Sequence, residues 1–228
     1  MLVWCWPQLE ELYWQHLLPC LLLLLQLVVI WLLLVVLSGL GLQLYFVARV
    51  FAMRYVDPQS TAFERSQIMQ MLQADHGLRW RQQWMPANRI NTSLSRAVIA
   101  SEDDMFANHD GVQWQAIQKA WVRNEKAQAH TASNGKAPKV VGGSTITQQL
   151  AKNLFLSGER NFVRKGQELV ITLALETFLS KQRILEIYLN HVEWGKGVFG
   201  AQAAAQHYFS KPASGLTSWE AARLAVML

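Results

Sequence analysis

The chain has 228 residues, a formal net charge of +5 and 51% hydrophobic residues, and these averages combine an apolar N-terminal part with a basic remainder. Its two cysteines, Cys5 and Cys20, lie before or within the apolar part. The remainder therefore requires neither a disulfide nor a cysteine-based metal site.

The first predicted element is a membrane-spanning helix. Residues 21–42 include Gln26 and Ser38 as their only clearly polar members. As a helix this segment would be about 33 Å long, enough for a hydrocarbon core of about 30 Å. A cleaved signal peptide is the alternative, but the apolar run is long and no lysine- or arginine-containing n-region precedes it. We predict a tail over 1–16, a retained anchor over 17–48, a juxtamembrane linker over 49–60 and one folded domain over 61–228.

The charges that flank the anchor favour one orientation. Arg49 and Arg54 follow it, whereas no lysine or arginine precedes it. The positive-inside rule would then place the C-terminal side in the cytoplasm, although two residues are a weak signal and large domains can translocate despite such a bias.

Helical periodicity dominates the folded domain, and no stretch longer than a few residues alternates as a strand, so the predicted fold class is mainly α. A flexible loop is predicted over 126–141. The last helix ends at Leu228, still apolar and without a C-cap, which indicates a chain shorter than its complete domain; a docked C-terminal helix is the alternative. Predicted helices cover 94–102, 112–129, 145–156, 162–179, 181–190 and 201–209, followed by a last helix capped by Thr217 with Glu220 three residues on.

A glycine turn before a polar helix start indicates a ligand site. Gly142 and Gly143 allow a tight turn, and Thr145 with Gln148 three residues on forms a capping-box pattern. One face of this helix carries Ile146, Leu150 and Leu154 and can pack inward; another carries Gln149, Lys152 and Asn153. A helix start with a nearby cation favours anions, so the segment predicts a phosphate-like ligand.

The basic charge is concentrated between residues 119 and 165, where nine residues are basic and two are acidic. A solvated basic surface would explain this, and a nucleic-acid partner lacks any recognisable reading motif. An anionic lipid or a pyrophosphate substrate suits a membrane-tethered protein better.

Two acidic residues are candidates for catalysis. Glu102 follows a short apolar helix, where a carboxylate against aromatic groups can act as a general base. A solvated acidic turn with Phe106 in the core is the alternative, and His109 is more typical of a satisfied structural histidine. Glu168 lies four residues after Arg164, which an ordinary surface ion pair would also explain.

Five motifs in the order of a known family favour the functional interpretation. Residues 102–111 resemble the EDxxFxxHxG motif of the peptidoglycan glycosyltransferases, the family of the penicillin-binding-protein glycosyltransferase domains. Residues 142–153 resemble its GGSTITQQLAKN, and residues 164–168 its RKxxE. Residues 181–190 resemble KxxILExYLN, and residues 197–209 are similar to the glycine–alanine stretch that ends in YF. No transpeptidase domain follows, so the chain resembles the monofunctional biosynthetic branch. Two departures are HVEW at 191–194 and Ser210 where a glycine is common.

The resemblance implies a lysozyme-like fold and a lipid II substrate. The growing glycan on undecaprenyl pyrophosphate would be the donor and lipid II the acceptor. Glu102 would deprotonate the acceptor 4-hydroxyl, which attacks C1 of the donor sugar with inversion to a β-1,4 link. Glu168 would be the second catalytic residue, which orients the cations and the donor site. Substrate binding would fall to Asp103, His109, Ser144, Thr145, Gln148, Gln149, Lys152, Asn153, Arg160, Arg164 and Lys165.

The resemblance also implies the setting of the reaction. The sequence itself requires no cofactor or protein metal site, because no His/Asp/Glu cluster has clear ligand spacing, and any Mg²⁺ or Mn²⁺ would act with the substrate pyrophosphate. Expected partners are the lipid-linked substrates, membrane lipid and other cell-wall synthesis or division proteins, with no nucleic acid. The catalytic domain would lie on the periplasmic side of the cytoplasmic membrane, against the charge bias of Arg49 and Arg54. A lysozyme-like lytic enzyme and a non-catalytic membrane scaffold are the alternatives.

Overall fold

A computed structural model describes residues 6–74, 80–114, 118, 143–156 and 162–228, with side chains from residue 17 onward. The chain divides into two compact units, Met1–Phe46 and Val47–Leu228. Outside the described residues lie most of the predicted helix over 112–129, the predicted loop over 126–141, Gly142 and Arg160.

A long helix, α1, covers Trp6–Ala52. The first unit contains the part of α1 up to Phe46. Its large apolar side chains between Leu17 and Tyr45 are exposed, as expected for a surface that contacts lipid. Within the described residues, Leu17–Ala52 is the one helix that is long and apolar enough to cross a membrane. This helix is consistent with a membrane anchor.

The second unit is built mainly from helices. Its described helices are α2 (Ala62–Gln73), α3 (Thr92–Glu102), α4 (Ile146–Phe155), α5 (Phe162–Phe178), α6 (Lys181–His191), α7 (Ala201–Phe209) and α8 (Ser218–Ala225). Side-chain caps begin α2, α3, α4, α6 and α8. Capping boxes begin α2 at Thr61, α4 at Thr145 and α8 at Thr217. The predicted caps at Thr145 and Thr217 are therefore confirmed.

A small sheet closes one side of this unit. Its strands are β1 (Arg81–Gln82), β2 (Glu193–Gly195) and β3 (Val198–Phe199), in the order β1-β3-β2. β1 pairs parallel with β3, and β2 pairs antiparallel with β3 with an irregular register at Glu193 and Gly195. Strands of two or three residues carry no alternation that a sequence pattern could detect.

Helix α4 is the element that brings the core and the site together. It packs against α2, α5 and α6. The face with Ile146, Leu150 and Leu154 is buried, as predicted, whereas Lys152 on the other side is exposed. One amphipathic helix therefore anchors the fold with one face and presents polar groups with the other.

Candidate active site

Asp103 joins the end of α3 to the start of α4. Its carboxylate is buried and accepts hydrogen bonds from three donors: the Ile146 backbone N–H at 3.0 Å, His109 Nε2 at 2.9 Å and Gln113 Nε2 at 2.7 Å. Because an ionised carboxylate only accepts, three converging donors suit it well. Asp103 therefore positions α4 next to Glu102.

His109 is held in one tautomer by its neighbours. The Gly111 backbone N–H donates to Nδ1 at 3.0 Å, so the ring proton lies on Nε2 and is donated to Asp103. Gly111 has φ of +82°, and a Cβ there would lie 2.6 Å from Thr172 Cγ2. The Thr145 hydroxyl donates to the Gly111 carbonyl at 2.6 Å. This turn is thus locked onto α4 and α5.

Glu102 is half-buried at the C-terminal end of α3. Gln149 Nε2 donates to Glu102 Oε2 at 2.8 Å, and the Tyr188 hydroxyl donates to Gln149 Oε1 at 2.9 Å. Burial, together with the nearby Glu102 charge, raises the pKa of Tyr188 well above its usual range, so its hydroxyl remains protonated. Tyr188 therefore fixes the Gln149 amide with its NH₂ group toward Glu102.

A cavity of about 310 Å³ opens beside this carboxylate. Gln149 contributes to its wall while it contacts Glu102, so Glu102 and the cavity share one side chain. The lining residues are Phe63, Ser144, Gln148, Gln149, Lys152, Asn153, Leu156, Arg164, Lys165 and Glu168. The predicted anion clamp on α4 and the RKxxE residues on α5 thus meet at one site.

The cations of the cavity are arranged around a buried carboxylate. Glu168 accepts from Arg164 Nη1 at 3.1 Å and from Lys165 Nζ. With Lys152, the described lining residues include three cations and one carboxylate, which give this part of the wall a net positive charge. Such a wall attracts a phosphate or pyrophosphate group.

The predicted site residues fall into two groups. Ser144, Gln148, Gln149, Lys152, Asn153, Arg164, Lys165 and Glu168 line the cavity. Asp103, His109 and Thr145 instead make internal hydrogen bonds that shape it. Their proposed substrate contacts stay a prediction, as does the role of Arg160, which lies outside the described residues.

Lys181 is a site-shaping residue that the sequence analysis did not single out. Its Nζ donates to the His109 carbonyl at 2.6 Å and to Glu176 Oε1 at 2.8 Å, and lies 4.7 Å from the Phe106 ring centroid. It therefore ties the turn after Glu102 to the α5–α6 corner. Its position at the start of the KxxILExYLN motif, which also contains Tyr188, was the available signal.

Comparison with known proteins agrees with this geometry. Residues 66–228 match the family described as Transglycosylase. A protein named "Biosynthetic peptidoglycan transglycosylase" from Burkholderia thailandensis is 53% identical over 84% of this chain and 71% of its own length. A protein of the same name from Janthinobacterium sp. is 51% identical over 87% of this chain and 82% of its own length. One from Bordetella avium is 54% identical over 75% of this chain and 70% of its own length. The chain belongs to the transglycosylase family, and the predicted mainly α, lysozyme-like fold class is confirmed.

Proposed function

We propose that this protein is a membrane-anchored peptidoglycan glycosyltransferase that polymerises glycan chains from lipid II. The observation that carries the proposal is the link from Glu102, through Gln149, to the cation-lined cavity. A lytic enzyme needs a catalytic carboxylate but no clamp for pyrophosphate, so this link favours synthesis over lysis. The name of the relatives supports the same activity.

Glu102 acts as the general base in this proposal. Gln149 occupies its Oε2, and no described residue donates to Oε1. The carboxylate takes the proton of the lipid II 4-hydroxyl as that oxygen attacks C1 of the donor sugar from the face opposite the pyrophosphate. The C1–O bond then breaks, its electron pair leaves with the pyrophosphate, and the product is a β-1,4 link.

The cavity receives the charge that develops on the leaving pyrophosphate. Lys152, Arg164 and Lys165 supply cations, and Glu168 holds two of them in place before the reaction begins. No protonation of the leaving group or resident cofactor is then needed. A Mg²⁺ or Mn²⁺ ion would be held by pyrophosphate oxygens. Glu168, the one carboxylate among the described lining residues, is already bonded to Arg164 and Lys165.

The proposal is tested with the full chain and labelled lipid II in detergent. Glycan chains that lengthen with time and are digested by a muramidase are the expected product. Soluble muropeptides released from finished peptidoglycan would instead identify a lytic enzyme. A folded protein that gives neither product would be a scaffold.

Replacing Lys152 by alanine is expected to slow polymerisation by about 10–150-fold, because a lost charge-assisted contact costs about 1.5–3 kcal/mol. Lys152 is exposed beside the cavity, so the melting temperature should change little. Donor binding and polymerisation rate are measured beside Lys196→Ala, an exposed lysine that does not line the cavity. An unchanged rate with a lowered melting temperature would make Lys152 structural.

We further propose that residues 17–48 anchor the chain in the cytoplasmic membrane, 49–60 link the anchor to the catalytic domain and 61–228 lie on the periplasmic side. The warrant is the outer-face location of lipid II polymerisation, set against the charge bias of Arg49 and Arg54. Membrane lipid and other cell-wall synthesis or division proteins would be its partners there, with no nucleic acid.

Cysteine labelling in intact spheroplasts checks this orientation. In a background without Cys5 and Cys20, Ser66→Cys on the exposed surface of α2 should react with a membrane-impermeant maleimide. Gln8→Cys in the N-terminal tail should react only with a permeant reagent. The reverse pattern would place the catalytic domain in the cytoplasm and remove its access to the substrate.

A further inference from the structure

A second charged cavity lies where α1 ends and α2 begins. It has a volume of about 380 Å³ and is separate from the residues that line the proposed active site. Two exposed arginines, Arg49 and Arg65, line it, and residues of the turn 52–60 form the rest of its wall. The proposed reaction has no use for this cavity.

The charges in this cavity favour an anion. Among the described residues, neither Arg49 nor Arg65 has a carboxylate partner within 4 Å. Arg65 Nη1 donates to Ser60 Oγ at 2.9 Å, which steadies the guanidinium without neutralising it. Asp57, the one carboxylate among the described lining residues, is bonded to Arg183 Nη2 at 2.6 Å. The cavity therefore offers two guanidinium groups, whereas its carboxylate is already paired.

The position of the cavity along the chain fits the headgroup layer of a membrane. Arg49 follows the apolar run that ends at Leu42 by seven residues, which is about 10 Å of helix. The headgroup layer extends roughly 5–8 Å beyond the hydrocarbon core, and the long side chain of an arginine just past this layer extends back into it. Exposed Phe51, Tyr55 and Val56 follow at once, and aromatic residues favour this interface.

We propose that Arg49 and Arg65 bind the phosphate of an anionic phospholipid with an uncharged headgroup. A zwitterionic lipid would bring an ammonium group to a cavity whose carboxylate is already paired with Arg183. The proposal rests on the membrane anchor and is independent of the polymerase reaction. On the proposed periplasmic side, this lipid contact would also explain why Arg49 follows the anchor there, where the positive-inside rule would not place it.

Native mass spectrometry of the full chain in detergent, with equal amounts of phosphatidylglycerol and phosphatidylcholine, tests the proposal. The wild type should retain phosphatidylglycerol selectively, and Arg49→Gln/Arg65→Gln should weaken retention by about 30-fold. Arg49→Lys/Arg65→Lys should restore most of it. Arg89→Gln/Arg96→Gln, which removes the same charge from two exposed arginines elsewhere, should retain phosphatidylglycerol like the wild type.

Three results would overturn the proposal: equal retention of the two lipids, equal loss in the Arg89/Arg96 control, or complete displacement by excess inorganic phosphate, which would indicate a free-anion site. Unchanged circular dichroism of the double glutamine variant ensures that lost retention is not lost folding. No glycan substrate is present, so this result and that of the polymerisation assay are judged separately.

Discussion

Replacing Glu102 by glutamine is expected to lower lipid II polymerisation by about 10²–10⁴-fold, the usual contribution of a general base. Glutamine keeps the size of the side chain, and its amide oxygen can still accept from Gln149 Nε2. It has no basic lone pair for the acceptor proton. Because Glu102 is half-buried at a helix end, the melting temperature should stay within about 2 °C of the wild type. Glycan formation and thermal unfolding are measured on the same preparation.

Asp104→Asn is the matched control for this change. Asp104 belongs to the same acidic turn and is exposed, so its amide variant should keep both activity and stability. Near-wild-type turnover by Glu102→Gln would remove the proposed base. Equal losses in the two variants would show that the charge of the turn matters rather than one positioned carboxylate.

Neighbouring acids in this turn illustrate what a sequence can and cannot predict. Glu102, Asp103 and Asp104 are chemically alike and adjacent, and the family resemblance assigned substrate binding to Asp103. The fold separates them: Glu102 contacts Gln149, Asp103 is buried among three donors, and Asp104 is exposed. The partners of Glu102 and Asp103 on α4 lie more than 40 positions along the chain, and no local pattern encodes that distance.

Local signals did predict most helices and their starts. The helix predicted over 201–209 is α7, Ala201–Phe209, and the capping boxes at Thr145 and Thr217 are formed. These features depend on residues within one or two turns of each other. Ser210, where the family commonly has glycine, ends α7 with φ of +56° in the left-handed region. Glycine avoids the cost of that conformation, roughly 1–2 kcal/mol for other residues, which explains the family preference.

Long-range contacts explain what the sequence did not predict. Tyr188 orients Gln149 from 39 residues away, and Lys181 reaches the His109 carbonyl from 72 residues away. Both lie in a motif that the sequence analysis recognised only as part of a family pattern. Their hydrogen bonds form because α6 packs beside α4 and the turn after α3, which is a property of the tertiary structure.

Asp103→Asn is expected to cause a large loss of stability, whereas Glu102→Gln is expected to lower activity with little change in stability. Asp103 Oδ1 accepts from His109 Nε2 and Gln113 Nε2, and Oδ2 accepts from the Ile146 N–H. An asparagine NH₂ group in place of either oxygen would face a donor, which leaves buried polar groups unpaired. We expect a loss of about 3 kcal/mol, or roughly 10 °C in melting temperature.

Thermal unfolding of the full chain in detergent measures this loss, with Asp104→Asn again as the control. Polymerisation should also fall at temperatures where Asp103→Asn is still folded, because Asp103 holds the start of α4 and hence Gln149 next to Glu102. The residual activity should nevertheless exceed that of Glu102→Gln, since the proposed base, Glu102, is still present. An Asp103→Asn protein that is as stable as the wild type but inactive would assign Asp103 to substrate contact, as the family resemblance implied, rather than to positioning of α4.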